Sequence, residues 1–171
     1  MICFLLQGAT VADAPTTLMA YMLSDFYRDG AMTVWLRPGV RAFLARMAEL
    51  FDLALYTAGS ARYARKVMRE VDPDDLVRTH LYRDHCPSDF DKDLTMLPRF
   101  DARRTIVLED NPDNFKGAQR RNVLPVDSFE GDPLDGTLSR VRPLLEMYAR
   151  SADARPEHDA RIFLEAVQLL L

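Results

Sequence analysis

The chain is 171 residues long, 48% apolar and 28% charged, with a formal net charge of −4; that suits one domain with a well-buried core and is ordinary for a soluble globular protein. The charge total gives no support to a nucleic-acid partner. Two cysteines are too few for a disulfide framework, and no run approaches the roughly 18–20 apolar residues that cross a bilayer.

In chain order, ICFLL (2–6) reads as a buried strand, with Cys3 as a buried thiol. TTLMAYMLSDFY (16–27) reads as an amphipathic helix ending at Gly30, and MTVWL (32–36) as a short strand. RPGVRAFLARMAELF (37–51) sets Val40, Phe43, Leu44, Met47, Leu50 and Phe51 at helical spacing, with Pro38 suited to the first turn. DLALYT (52–57) is a continuous apolar strand, and Ser60 can cap the helix ARYARKVMREV (61–71). THLYR (79–83), RTIVLED (104–110) and NVLPV (122–126) are the remaining strands. LDGTLSRVRPLLEMYAR (134–150) is a helix interrupted near Pro143. The tail PEHDARIFLEAVQLLL (156–171) carries Ile162, Phe163, Val167 and Leu170 on one stripe, which predicts a docking helix.

Strands and helices in alternation, the strands being near-continuous apolar runs, predict an α/β fold: a mostly parallel sheet with helices on both faces and no large cap domain. In such folds chemistry gathers beyond the carboxyl ends of the strands. The residues to interrogate are Gln7–Thr10, Thr57–Ser60, Lys92 and Glu109–Asn111. An acidic pair at a strand end, with a hydroxyl and a lysine elsewhere, suggests phosphoryl transfer. In that chemistry a carboxylate attacks phosphorus, carboxylates hold Mg²⁺, and the lysine and hydroxyl bind phosphate oxygens.

RPGVRAFL (37–44), LYTAGSARYARKVMREVDP (55–73), LYRDHC (81–86), KDL (92–94), VLEDNPDNF (107–115) and NVLPVDSF (122–129) occur in an order and spacing that make the chain recognisable. It resembles the haloacid-dehalogenase-fold CTD small-phosphatase family, also called the NLI-interacting-factor domain. The stretch EGDPLDGTLSRVRPLLEMYARSADARP (130–156) looks most like that family's branch of receptors in the mitochondrial inner-membrane presequence translocase. The resemblance implies a domain over 1–150 followed by a docking helix over 151–171. It matches Thr57 to the family's phosphate-binding hydroxyl, Lys92 to its phosphate-contacting lysine, and Glu109 and Asp110 to its metal-binding strand end.

Active members end the first strand in D-x-D-x-T, nucleophile first and general acid second. On this chain those positions fall on Leu5, Gln7 and Ala9. Leucine forms no acyl-phosphate and glutamine exchanges no proton near neutral pH; loss of such a nucleophile costs many orders of magnitude in rate. The first carboxylate downstream is Asp13. The expectation is a degenerate phosphatase, not an enzyme, with Thr57, Lys92, Glu109 and Asp110 as a vestigial pocket. That pocket needs no cofactor and holds Mg²⁺ weakly at most.

Each residue also has a plainer role. Glu109 and Asp110 can bond loop amides near Pro112, Lys92 can be neutralised by a neighbouring acid, and Thr57 can bond local backbone. His80, His85 and His158 lack metal-ligand spacing, and Arg103–Arg104 and Arg120–Arg121 read as solvated surface. Acidic loop residues, among them Asp72, Asp74, Asp75, Asp84, Asp91, Asp93, Asp132 and Asp135, offer a face for basic presequences. Against a plain receptor, Met1 opens directly onto strand one with no transmembrane segment before it. In addition CPSDFDK (86–92) is shorter than the family's hairpin there. The resemblance therefore implies a mitochondrial, inner-membrane-associated protein whose partners are translocase subunits or presequences. The alternatives are a structural subunit of a large mitochondrial assembly, such as a ribosome or respiratory complex, and an active protein phosphatase.

Overall fold

A computed structural model describes the backbone of residues 3–7, 16–18, 23–28 and 31–34, and residues 35–88 and 91–156 in full. The strands are β1 (Cys3–Gln7), β2 (Thr16–Leu18), β3 (Leu23–Arg28), β4 (Ala31–Leu36), β5 (Phe51–Tyr56), β6 (Val77–Leu81), β7 (Thr105–Glu109) and β8 (Val123–Pro125). The helices are α1 (Val40–Ala48), α2 (Ala61–Val71) and α3 (Thr137–Tyr148).

The α/β expectation holds. β6 pairs with β5 and β8 with β7, all parallel, and β2 lies between β5 and β7, parallel to both. β5 and β7 alternate their side chains between two cores. Phe51, Leu53, Leu55, Ile106 and Leu108 pack with the apolar stripes of α1, α2 and α3. Ala54, Tyr56 and Val107 pack instead with Leu94, Leu97 and Phe115, carried by short 3-10 turns and the loops beside them. Both faces of the sheet are thus covered, one by α-helices and the other by single helical turns.

Two expectations for the first 36 residues are corrected. The segment 16–27 is not a helix: it contains β2 and most of β3, and β3 pairs antiparallel with β4 from Leu23↔Leu36 to Arg28↔Ala31. The two residues between those strands are Asp29 and Gly30, a dipeptide that favours two-residue hairpins and outweighs the apolar pattern. β1 runs antiparallel to β5 and β7, with Cys3 opposite Tyr56 and Gln7 level with Asp52 and Thr105. A fully apolar run has no polar side to orient it, so its direction is not written in its sequence.

Smaller departures have simple causes. Phe51 begins β5 instead of closing α1. Pro38 precedes α1, which starts after Gly39 at φ 76°, a conformation glycine adopts without a Cβ clash. α3 runs unbroken through Pro143, which lies on its exposed side. Ser60 caps α2 as expected, its Oγ accepting from the Tyr63 amide at 3.4 Å. Beyond α3 the chain stays on the domain: Ala154 is fully buried and its amide donates to the Arg103 carbonyl at 2.7 Å. The tail expected to dock as a helix, with His158, lies outside the described residues, as does the Cys3 side chain. Among the described residues no helix is long and apolar enough to cross a membrane.

Candidate functional site at the carboxyl ends of the parallel strands

The ends of β5 and β7 bring Thr57, Lys92, Glu109 and Asp110 to one edge of the sheet. Thr57 is fully buried; its amide donates to the Leu81 carbonyl at 2.9 Å and its Oγ1 accepts from the Gly59 amide at 2.9 Å. Gly59 is required there, since a Cβ would come within 2.9 Å of the Tyr63 ring and 3.1 Å of Thr57 Oγ1. The turn after β5 is therefore tight, and it leads directly into the Ser60 cap.

Lys92 is placed by backbone. Its amide donates to the Asn114 carbonyl at 2.8 Å, and it forms an isolated parallel bridge with Phe115. Its Nζ lies 2.5 Å from Glu109 Oε2 and 5.7 Å from the Phe115 ring centroid, and neither the Lys92 nor the Glu109 side chain is exposed. The other Glu109 oxygen, Oε1, accepts from the Asn111 amide and Asn114 Nδ2, each at 3.3 Å. Both oxygens of Glu109 are thus engaged, and the buried pair is neutral as a unit, the arrangement that makes burial of two charges tolerable.

Asp110 is half-buried. Oδ2 accepts from Ser128 Oγ at 2.8 Å, while Oδ1 is enclosed with no hydrogen-bond partner among the described residues. Burial, then the adjoining Glu109 carboxylate, push its pKa up to about 6, against the Ser128 hydroxyl, which pulls it down. A single orphaned oxygen beside a glutamate already held by lysine does not fit a resident Mg²⁺, which wants near-octahedral oxygen ligands. No group of three ligating side chains occurs among the described residues.

The first-strand positions do not join this site. Leu5 lies mid-sheet opposite Ala54 and Val107, and Gln7 lies at the far edge beside Asp52 and Thr105; Ala9 and Asp13 are outside the described residues. The two strands beside β5 and β7, CFLLQ and TTL, contain no carboxylate in either direction of travel.

The loop acids expected to form a face for basic peptides are mostly engaged locally. Asp72 accepts from the amides of Leu76 and Val77, and Asp93 from Thr95 and Gln119. Asp132 accepts from the Leu134 amide, and Asp91 pairs with Lys116 at 3.4 Å. Of the arginine pairs expected at the surface, Arg103, Arg120 and Arg121 are exposed, Arg120 pairing with exposed Asp113 at 2.6 Å, whereas Arg104 is half-buried and donates to the Ser151 carbonyl. His85 Nδ1 accepts from the Tyr82 amide at 3.0 Å, and burial raises the Cys86 thiol above its usual range.

Sequence reasoning passed over Arg37. It is fully buried, donating to the Asp127 carbonyl at 2.6 Å, pairing with Asp135 at 3.2 Å and lying 5.2 Å over the Phe129 ring. It ties the end of β4 to the loop leading into α3; arginine directly before Pro38 and Gly39 is the only sequence signal for it.

Parallel strands flanked by helices, with Thr57, Glu109 and Asp110 at or just beyond their carboxyl ends, define a haloacid-dehalogenase-type fold. The profile of the NLI interacting factor-like phosphatases matches residues 10–155, and the chain belongs to that family. It is similar to CTD small phosphatase-like protein 3 of Caenorhabditis elegans, 37% identical over 117 residues, covering 66% of this chain and 40% of that protein. It is also similar to the mitochondrial import inner membrane translocase subunit tim50 of Emericella nidulans, 30% identical over 129 residues, covering 74% of this chain and 24% of that protein. The structure of the RNA polymerase II CTD phosphatase Fcp1 superposes with a TM-score of 0.52 at 22% identity, over 86% of this chain and 50% of that one, a likeness of fold. The chain spans less than half the length of the curated relatives it matches.

Proposed function

We propose that the chain is a catalytically silent, protein-binding member of its family, working as a recognition domain in the manner of the translocase subunit it resembles. The observation that carries this reading is the closed Lys92–Glu109 pair, flanked by strands without a carboxylate. The lysine that would hold a phosphate is already neutralised, and neither β1 nor β2 contributes a nucleophile. A mitochondrial setting rests on kinship with the import subunit. No resident metal is part of the reading.

The test is phosphate release from p-nitrophenyl phosphate with Mg²⁺. A silent module gives no turnover above the heat-inactivated chain. Native size, with co-migrating proteins identified by mass spectrometry, then separates two kinds of binding. Salt-sensitive association with translocase subunits is the receptor outcome, whereas stoichiometric migration in a megadalton particle identifies a structural subunit.

One observation favours a second reading, a working phosphatase. A half-buried carboxyl with a pKa near 6 is suited to proton transfer, and several relatives carry phosphatase names. Turnover that disappears in Asp110→Asn would establish this reading and overturn the first.

A further inference from the structure

The outer side of α2 holds a charge pattern that the strand-end pocket does not use. Arg62, Arg65, Lys66 and Arg69 stand at i, i+3, i+4 and i+7, which places all four on one side of the helix. All four are exposed, and none has a hydrogen bond or ion pair among the described residues. The only acid on the helix is Glu70. In a chain whose net charge is −4, a four-cation stripe is a concentrated exception.

The stripe borders a cavity of about 420 Å³ between α2 and the turn to β6, lined by Arg65, Met68, Arg69, Asp72, Asp75 and His80 among others. Its wall is built. Arg65 lies 5.7 Å over the Tyr82 ring, Tyr82 is 9% exposed, and its hydroxyl is 3.1 Å from His80 Nδ1. The other ring nitrogen of His80, Nε2, is enclosed and has no hydrogen-bond partner among the described residues. Asp72 adds little free charge, since both its oxygens accept backbone amides. Asp75 is the exposed acid of the lining, on the turn that ends the cavity, beside Asp74.

We propose that this face binds a phosphorylated segment of a partner protein, the phosphate seated between Arg65 and Arg69 and a basic neighbour meeting Asp75. Two guanidinium groups one helical turn apart can each take a phosphate bidentately, which suits a compact dianion better than a lone carboxylate. The acids at the turn decide against RNA, because a continuous polyanion leaving the arginines would run onto Asp74 and Asp75. The inference rests on the chain being a protein-binding module, and it gives that module a partner class.

The experiment is fluorescence anisotropy with a labelled peptide carrying phosphoserine and an arginine two residues downstream, compared with its unphosphorylated form. Inorganic phosphate release from the same peptide is followed in parallel. The phosphopeptide binds and its counterpart does not. Arg65→Gln/Arg69→Gln weakens binding at least about tenfold, the loss of about 1.4 kcal/mol, with an unchanged melting temperature at physiological salt. Equal binding of both peptides, binding undiminished in Arg65→Gln/Arg69→Gln, or equal competition by a single-stranded RNA would each overturn the assignment. Phosphate release would instead overturn the silent-module reading, so the two failures are separable.

Discussion

At the ends of β5 and β7, Lys92 and Glu109 bury their charges against each other, and the asparagines beside them take up the remaining oxygen. On the outside of α2, four cations stand side by side in water with no hydrogen bond or ion pair among the described residues. The first region carries the residues matched to the family's phosphate- and metal-binding positions, yet its charges are spent internally. The second lies within the family landmark at 55–73 but outside that pocket, and its charges face solvent. The pocket's chemistry and the chemistry available at the surface have come apart in this chain.

The comparison breaks most easily at Lys92. Lys92→Met leaves the Glu109 carboxyl enclosed without its partner, which costs about 3–5 kcal/mol whether the group stays charged or takes up a proton. Chemical denaturation reads this directly, and pairing it with Glu109→Gln should restore most of the loss. A single variant as stable as the parent would mean the pocket is open to water, and the internal neutralisation described here would be wrong. Arg37→Met comes next, at about 2–4 kcal/mol, because Asp135 and the Asp127 carbonyl lose a fully buried donor.

How much of this was legible beforehand depends on what each residue answers to. Thr57, Lys92, Glu109 and Asp110 were readable because each follows a strand, and strand ends converge by topology. Their mutual pairing was not, because Lys92 and Glu109 are 17 positions apart and the loop between them sets the contact. β1 misled because a uniformly apolar run fits a sheet in either direction, and the residues 16–27, which hold β2 and most of β3, satisfy helix and strand patterns at once. The basic stripe of α2 was present in ARYARKVMRE throughout, but only the cavity beside it distinguishes a binding face from an ordinary solvated one.

The strand-end region can be sharpened by pH. Asp110 has a folded pKa of about 6, above the ordinary aspartate value of about 3.9. Ionising it therefore costs the folded state: the penalty is complete above about pH 6 and absent below about pH 4. Asp110→Asn should stabilise the chain at pH 7.5 and lose that advantage as the pH falls through 6 towards 4. For a half-buried group the gain is about 1 kcal/mol once solvent screening is allowed for. Thermal melts of both chains at pH 4 and pH 7.5 measure it, and a gain independent of pH would assign the effect to packing.

The smallest effect has the opposite sign to the first and bears on the other region. On α2 the pairs Arg62–Arg65, Arg62–Lys66, Arg65–Arg69 and Lys66–Arg69 repel across one turn, and Arg62 sits in the first turn, where the helix dipole disfavours a cation. Arg65→Gln/Arg69→Gln removes three of those four contacts. At low salt it should raise stability by about 0.5–1 kcal/mol, and at 0.5 M salt the difference should vanish. A destabilised variant would show that the arginines hold the domain together, as Lys92 does. A variant that folds better and binds worse shows charge kept on α2 at the expense of stability, which is how a recognition surface differs from a structural one.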